Sequence, residues 1–295
     1  MKYALFLGCF IPVRLPQLEA VARSVLPRLG VELVDVDGFS CCPEPVGFLT
    51  DRITGLALAA RNISLAEEAG LDILTLCNGC TYTLRRANET LKSDAALRER
   101  VNEVLRETGH EFRGSVDVRH FAQVLGGRMG LEGVRSAVKK PLTGLRVACH
   151  TGCHILSPPG VMDFDDPIDP VALDHLVSAL GAEPVDWDKK TGCCGWTLTN
   201  YGDRESANGL LGAKLGAMHA AGADCSSVIC PQCFYQFDTG QMLAARDLKL
   251  EYRVPTVYYL QLLALAMGHS LEEAGMRLSR VKDPALEEKL GRLTA

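Results

Sequence analysis

The sequence predicts an α/β protein built as two similar α/β lobes related by an internal repeat, each with a cysteine cluster site at the carboxyl ends of its strands. Three observations carry that expectation. The chain is 295 residues long, a length that suits two domains of roughly 150 residues each. A cysteine pattern occurs twice in it, and helical and extended apolar runs alternate ahead of each cysteine group.

The first copy of the pattern is Cys9, 31 residues, Cys41-Cys42, 34 residues, and Cys77-Asn-Gly-Cys80. The second is Cys153, 39 residues, Cys193-Cys194, 35 residues, and Cys230-Pro-Gln-Cys233. Chance does not give this order and these intervals twice. Taken in order, residues 2–7 read as a strand leading to Cys9. Residues 15–30 have the helical spacing Leu18, Val21, Val25, Leu29 and a glycine stop, and 31–36 read as the strand before the first pair. Residues 59–70 form a helix ending in glycine, and 71–76 an apolar strand before Cys77. In the second half 145–148 is a strand, 170–181 a helix, 182–187 a strand, 212–222 a helix and 223–229 a strand. Every cysteine group thus follows a predicted strand, and in open α/β sheets loops converge at the carboxyl ends of strands. Residues 88–108 read as a helical elaboration of the first lobe, and the charged tail 271–295 as a partly solvated helix or partner contact. The lobes are expected at 1–142 and 143–295, with the junction near Lys139-Lys140-Pro141-Leu142-Thr143.

Composition narrows the class. Hydrophobic residues make up 47%, charged residues 23%, and the net charge is −5. With no lysine or arginine run, this argues against nucleic acid as a partner. The longest apolar stretches, such as 260–267, are too short to span a bilayer. Lys2 followed by Tyr-Ala-Leu-Phe-Leu-Gly-Cys9 imitates a signal peptide with a lipidated cysteine. Its apolar core is shorter than the usual 7–15 residues, and a buried first strand explains the same residues. Twelve cysteines without an export signal point to metal in a reducing compartment rather than to disulfides. A cytoplasmic location is expected.

Soft thiolates select zinc, copper(I) or iron–sulfur clusters. Five per half is one more than a structural zinc site or a four-cysteine cubane takes. Neighbouring residues of an extended chain point to opposite faces, so an adjacent pair converges only in a turn. Ser40, Pro43 and Pro45 supply one around the first pair, and Gly192 and Gly195 flank the second. The physical reading is an enlarged cluster in which one thiolate bridges irons.

The doubled pattern resembles the CCG-type motif of the B subunit of heterodisulfide reductase. So do residues 1–9, Phe39-Ser-Cys41-Cys42-Pro43, Ala59-Ala-Arg-Asn62, Cys77-Asn-Gly-Cys80, Gly152-Cys153-His154 and residues 261–267. The likeness covers nearly all of the chain except its last twenty or so residues. It implies that Cys9, Cys41, Cys42, Cys77 and Cys80 ligate one non-cubane four-iron–four-sulfur (4Fe-4S) cluster. It implies that Cys153, Cys193, Cys194, Cys230 and Cys233 ligate another. The implied activity is that of an oxidoreductase acting on sulfur groups, which reductively cleaves, or in reverse forms, a disulfide or related thiol–sulfur bond between the two clusters. Each cluster then supplies one electron, since opening a disulfide takes two. Implied partners are a ferredoxin-like (C-type) subunit, a flavin (A-type) subunit and a small thiol or disulfide. No nucleotide fingerprint and no ferredoxin-type cysteine run is present in the sequence. The loops after Cys42 and Cys194 depart from the family pattern, which bears on the substrate. A different disulfide, a persulfide or a lipoyl-type thiol is then an alternative to the coenzyme M and coenzyme B pair.

Other residues are weighed against plainer roles. His150 and His154 bracket the Cys153 loop and are candidate proton donors to a departing thiolate, or simply order the loop. Arg14, with Arg85 and Arg86, is a candidate for steering an anionic substrate, against a solvated role. Trp196 is a candidate pocket wall, against packing, and Cys149 and Cys225 read as buried structural cysteines. The competing functions are an electron-transfer CCG subunit of a lactate, glycolate or glycerol-phosphate oxidation complex and a zinc-bearing scaffold.

Overall fold

The computed structural model describes residues 1–43 and 51–294. Pro45 and the rest of the loop 44–50, expected to shape the turn after Cys42, lie outside the described residues.

The apolar runs become two all-parallel sheets. Lys2–Phe6 (β1), Glu32–Val34 (β2), Ile73–Thr75 (β3) and Val118–His120 (β4) form the first, in the order β2-β1-β3-β4. Arg146–His150 (β5), Glu183–Val185 (β6), Cys225–Val228 (β7) and Thr256–Tyr258 (β8) repeat it as β6-β5-β7-β8. The registers correspond: Ala4 pairs with Ile73 in the first sheet, and Val147 with Cys225 in the second. Residues 3–6, the stretch that imitates a signal core, lie buried in an inner strand of the first sheet.

Two expected helices are divided. The run 15–30 is α-helical over Pro16–Val25 and then tightens into a 3₁₀ turn at Pro27–Leu29. Pro27 has no N–H to continue the α ladder, and Gly30 ends the turn with φ 74°. The run 88–108 belongs to two helices, Asn78–Ser93 and Ala95–Arg106. Asp94 separates them, its carboxylate accepting from the Leu97 N–H at 2.9 Å as an N-cap.

Each lobe closes on the other by exchange. Gly130–Ala137, after β4, packs on Ala172–Ala179 of the second lobe, and Tyr259–Ala266, after β8, packs on Pro16–Val25 of the first. All eight residues of Tyr259–Ala266 are buried. The charged tail ends in the helix Pro284–Thr294, with Leu286 and Leu290 buried and Lys289 Nζ 2.5 Å from the Asp224 carboxylate. Among the described residues no helix is long and apolar enough to cross a membrane.

Candidate metal centres

The cysteines arrive at the sheet edges by three routes in each lobe. Gly8, at φ +64°, turns the chain out of β1 so that Cys9 starts the helix Phe10–Arg14. A Cβ on Gly8 would lie 2.8 Å from Cys80 Sγ. Cys77 stands at the N-cap of Asn78–Ser93 with Cys80 in the first turn; Cys230 and Cys233 repeat this on Pro231–Tyr235. Helix N-termini favour negative charge, which works against the neighbouring-thiol hydrogen bonds and burial that raise Cys77, Cys80 and Cys233. The adjacent pairs are held by buried polar side chains. Asn62 accepts from Ser40 N–H at 2.8 Å and donates to the Cys41 carbonyl at 3.2 Å. In the second lobe Lys214 donates to the carbonyls of Lys189 and Thr191, at 2.5 and 2.7 Å, just before Cys193.

The first set lines a cavity of about 180 Å³. Cys9 and Cys41 Sγ are 3.6 Å apart, and Cys42 and Cys80 Sγ 3.5 Å. The second set lines a tighter cavity of about 20 Å³, joined by Asn78 of the first lobe. His154, Thr197 and Gln232 line both. Glycine permits this closeness: a Cβ on Gly79 would stand 3.3 Å from Gln232 Oε1, and one on Gly152 would meet Asn78 Nδ2 at 2.7 Å. Asn78 Nδ2 itself donates to the Thr151 carbonyl at 2.7 Å. At the junction a hydrogen bond between the Cys77 and Cys230 thiols holds Cys77 well above the usual thiol range. Burial opposes ionisation of Cys230, yet bonds from Cys233 and Cys77 hold it below that range.

These contacts test the group that the donor set fits. None of the twelve cysteines forms a disulfide. The bond to Cys41 lowers Cys42, while the bond to Cys42 raises Cys80. Likewise Cys193 is lowered to about 2 by its bond to Cys153, which is itself raised. Thiols this crowded share protons, and all five ionise together only around cations. Among the described residues, no three Cys, His, Asp or Glu side chains close around a single ion. The first set's thiols are spread over the walls of the larger cavity, room that suits a group of several atoms, whereas the second set's thiols close on a much smaller space.

The other sequence candidates divide. His154 lies at the junction and stacks on Tyr82 of the first lobe, with centroids 5.1 Å apart. Trp196 lines the second cavity and meets Phe10 and Tyr235 edge-on at 5.0 and 5.3 Å, its Nε1 without a hydrogen-bond partner among the described residues. His150 is not brought to the site. It lines neither cavity, Nδ1 lies 3.2 Å from the Lys190 carbonyl, and burial lowers its pKa to about 3. Arg14 ends its helix exposed and lines neither cavity. Arg85 ties the lobes by donating to the Val161 and Val118 carbonyls, and Arg86 donates to Tyr82 Oη. Cys149 and Cys225 are buried in strands, and desolvation pushes Cys225 up to about 12. Sequence reasoning missed Thr197 and Lys214, which lie outside every motif. Asn62, Asn78 and Gln232 fall inside motif blocks, where they read only as spacers between cysteines or as flanking sequence.

Two parallel-sheet lobes, each gathering five thiols at its carboxyl edge, define a duplicated cysteine-rich-domain protein. A family model described as "Cysteine-rich domain" matches residues 3–85 and 147–238. The chain belongs to the family of heterodisulfide reductase B subunits. It is 38% identical, over all of its length and 98% of the relative's, to the B subunit of the ferredoxin/F(420)H(2)-dependent CoB-CoM heterodisulfide reductase of Methanosarcina acetivorans. It is also 31% identical, over 93% of its length and 95% of the relative's, to the "8-methylmenaquinol:fumarate reductase membrane anchor subunit" of Wolinella succinogenes. A solved structure of a hypothetical protein from Helicobacter pylori shares the fold, with TM-score 0.77 and 18% identity over 96% of this chain and 52% of that one. Membership supports an iron–sulfur subunit with a redox role in a complex.

Proposed function

We propose that the chain is the catalytic subunit of a heterodisulfide reductase-like complex that reductively cleaves, or in reverse forms, a disulfide or related thiol–sulfur bond between its two cysteine sets. One observation carries this reading: both sets open onto a junction lined in common by His154, Thr197 and Gln232. Cys9, Cys41, Cys42, Cys77 and Cys80 would hold one non-cubane 4Fe-4S cluster, and Cys153, Cys193, Cys194, Cys230 and Cys233 the other. When bound, the two clusters supply one electron each, matching the two that a disulfide takes. The protein's own part is placement. Stacking on Tyr82 fixes the His154 ring at the junction, where it orients a sulfur substrate and offers a proton donor. The Phe10, Trp196 and Tyr235 cluster beside the second set walls off water.

The heterodisulfide named for the Methanosarcina relative is the first substrate to test, followed by other small disulfides and persulfides. The reading carries a ferredoxin-like and a flavin subunit as partners, a cytoplasmic location and a lobe division at residues 142 and 143. The Wolinella relative favours a second reading, in which the chain passes electrons within a complex without touching a sulfur bond. Anaerobically prepared protein should carry about eight irons and about eight acid-labile sulfides, if each set holds a four-iron cluster. It should turn over a disulfide with reduced viologen but not with NADH, since its sequence carries no nucleotide fingerprint. Stoichiometric zinc without sulfide would overturn the cluster reading. Full clusters that reduce no disulfide of a broad panel would favour the electron-transfer reading.

A further inference from the structure

The repeat gives each lobe a helix of 17 residues behind its adjacent cysteine pair, Arg52–Glu68 in the first and Arg204–Ala220 in the second. An aspartate caps each, Asp51 and Asp203. Counted from these caps, Asn62 and Lys214 hold the same position, and both are buried. Each side chain anchors the backbone that leads into a cysteine pair. Asn62 does so with a neutral amide, at Ser40 N–H and the Cys41 carbonyl. Lys214 Nζ does so at the Lys189 and Thr191 carbonyls, and the Trp187 ring covers another side, its centroid 5.5 Å away. The repeat keeps the anchor and changes its charge.

That charge has no full partner in these contacts. Two carbonyl oxygens and an aromatic face favour the ammonium over the neutral amine. None of them is an anion, and Lys214 is only 3% exposed. A buried cation without a counter-charge is costly. The second set supplies anions within range. Thr191 is two residues ahead of Cys193, so peptide geometry holds Nζ within about 9 Å of the Cys193 Cα. Beyond the pair, Gly195 packs on the same helix, where a Cβ would lie 2.9 Å from the Ala207 carbonyl oxygen. The pair is thus tied to this helix before and after. Lys214 lines neither cavity and acts from behind the thiols. Burial lowers its pKa, and the second set's sulfurs oppose that. Buried charges are little screened, and a fixed positive charge beside a cluster favours the state that holds one more electron.

We propose that Lys214 is the positioning residue of the second set: it fixes the backbone before Cys193 and supplies a buried counter-charge, absent at Asn62 in the first lobe, that raises the second cluster's reduction potential. This rests on the reading that the ten patterned cysteines hold two clusters.

The test is a potentiometric titration followed by electron paramagnetic resonance on the full-length protein, with iron and sulfide measured on the same samples. Lys214→Met keeps an unbranched side chain and removes both charge and donors. Lys214→Gln removes the charge and keeps an amide donor, and Lys214→Arg keeps charge and donors. Lys214→Met and Lys214→Gln should each lower one midpoint only. The reduced-to-oxidised ratio at a fixed potential should shift by about tenfold, which is about 59 mV for a one-electron couple. Lys214→Arg should stay near the wild-type midpoint. The shift should persist in a Cys42→Ala background, which retains the second set, and vanish in Cys194→Ala. Second-set iron lost from Lys214→Met and Lys214→Gln but kept in Lys214→Arg would also support the proposal, the counter-charge then being needed to assemble the site. Unmoved midpoints at full iron, a shift in Lys214→Met without one in Lys214→Gln, or a shift that follows the first set would overturn it. So would an equal shift in Lys214→Arg, or second-set iron lost from all three variants, which would leave Lys214 a packing role. Wild-type protein with far fewer than about eight irons would overturn the cluster reading and this inference together. Full wild-type iron with any of the contrary results would overturn this inference alone.

Discussion

Gly8 shows how closely single residues bound the site. It has φ +64°, and a Cβ there would stand 2.8 Å from Cys80 Sγ. Gly70 has nearly the same φ, +66°, yet a Cβ there would meet nothing within 4 Å. An L-residue in the left-handed region costs roughly 1–2 kcal/mol. Gly70→Ala should therefore lower stability by about that amount and leave iron content alone. Gly8→Ala should cost more and lose iron from the first set, which iron analysis beside a denaturant melt would separate. Gly8→Ala protein with full iron would mean that Cys80 sits elsewhere in the loaded site. At this scale the sequence was most legible where chemistry dictates residue type. The ten patterned thiols are recognisable by spacing, and the fold brings each five together. Tyr258 and Thr197 carried no signal, and Gln232 read only as a spacer between cysteines. What these three do depends on a junction between lobes that no local pattern encodes. His150, close to Cys153 in sequence, packs its ring edge-on against Phe237 at 5.0 Å.

Among the elements, the six strands ahead of cysteine groups were readable as apolar runs closed by turns. Five of them are slightly shorter than expected, while β5 runs on to His150. The fourth strand of each sheet was missed. Val118–His120 and Thr256–Tyr258 have three residues each, too few to show a period, and they are strands only because β3 and β7 offer them an edge. The helix Tyr259–Ala266 was legible as apolar but not as an exchange element. It is buried all round, as a helix is when it packs on two bodies at once. Leu263→Ala should cost about 2–5 kcal/mol and should loosen the first lobe as well as the second. Hydrogen exchange would show this as lost protection in Pro16–Val25, its partner across the junction. Protection lost in the second lobe alone would contradict the exchanged packing.

For the molecule as a whole, the lobes are tied by helix exchange, by Tyr258 to Leu76, by Asn78 to Thr151 and by Arg85 to Val161. Metal-free protein should therefore unfold in one transition, with far-ultraviolet and tyrosine signals coincident. Two separated transitions would mean that the lobes hold together only around their clusters. The same coupling underlies the functional claim that neither cysteine set completes the reaction alone. The most direct measurement is steady-state disulfide turnover beside iron content in folded Cys194→Ala protein. Removing this thiolate should unload the second set, since metal binding and site assembly are coupled. Iron should fall from about eight to about four per chain, with the first set's spectroscopic signal kept and disulfide turnover lost. Wild-type turnover at half the iron would contradict the account and leave the second lobe a structural part or an electron relay.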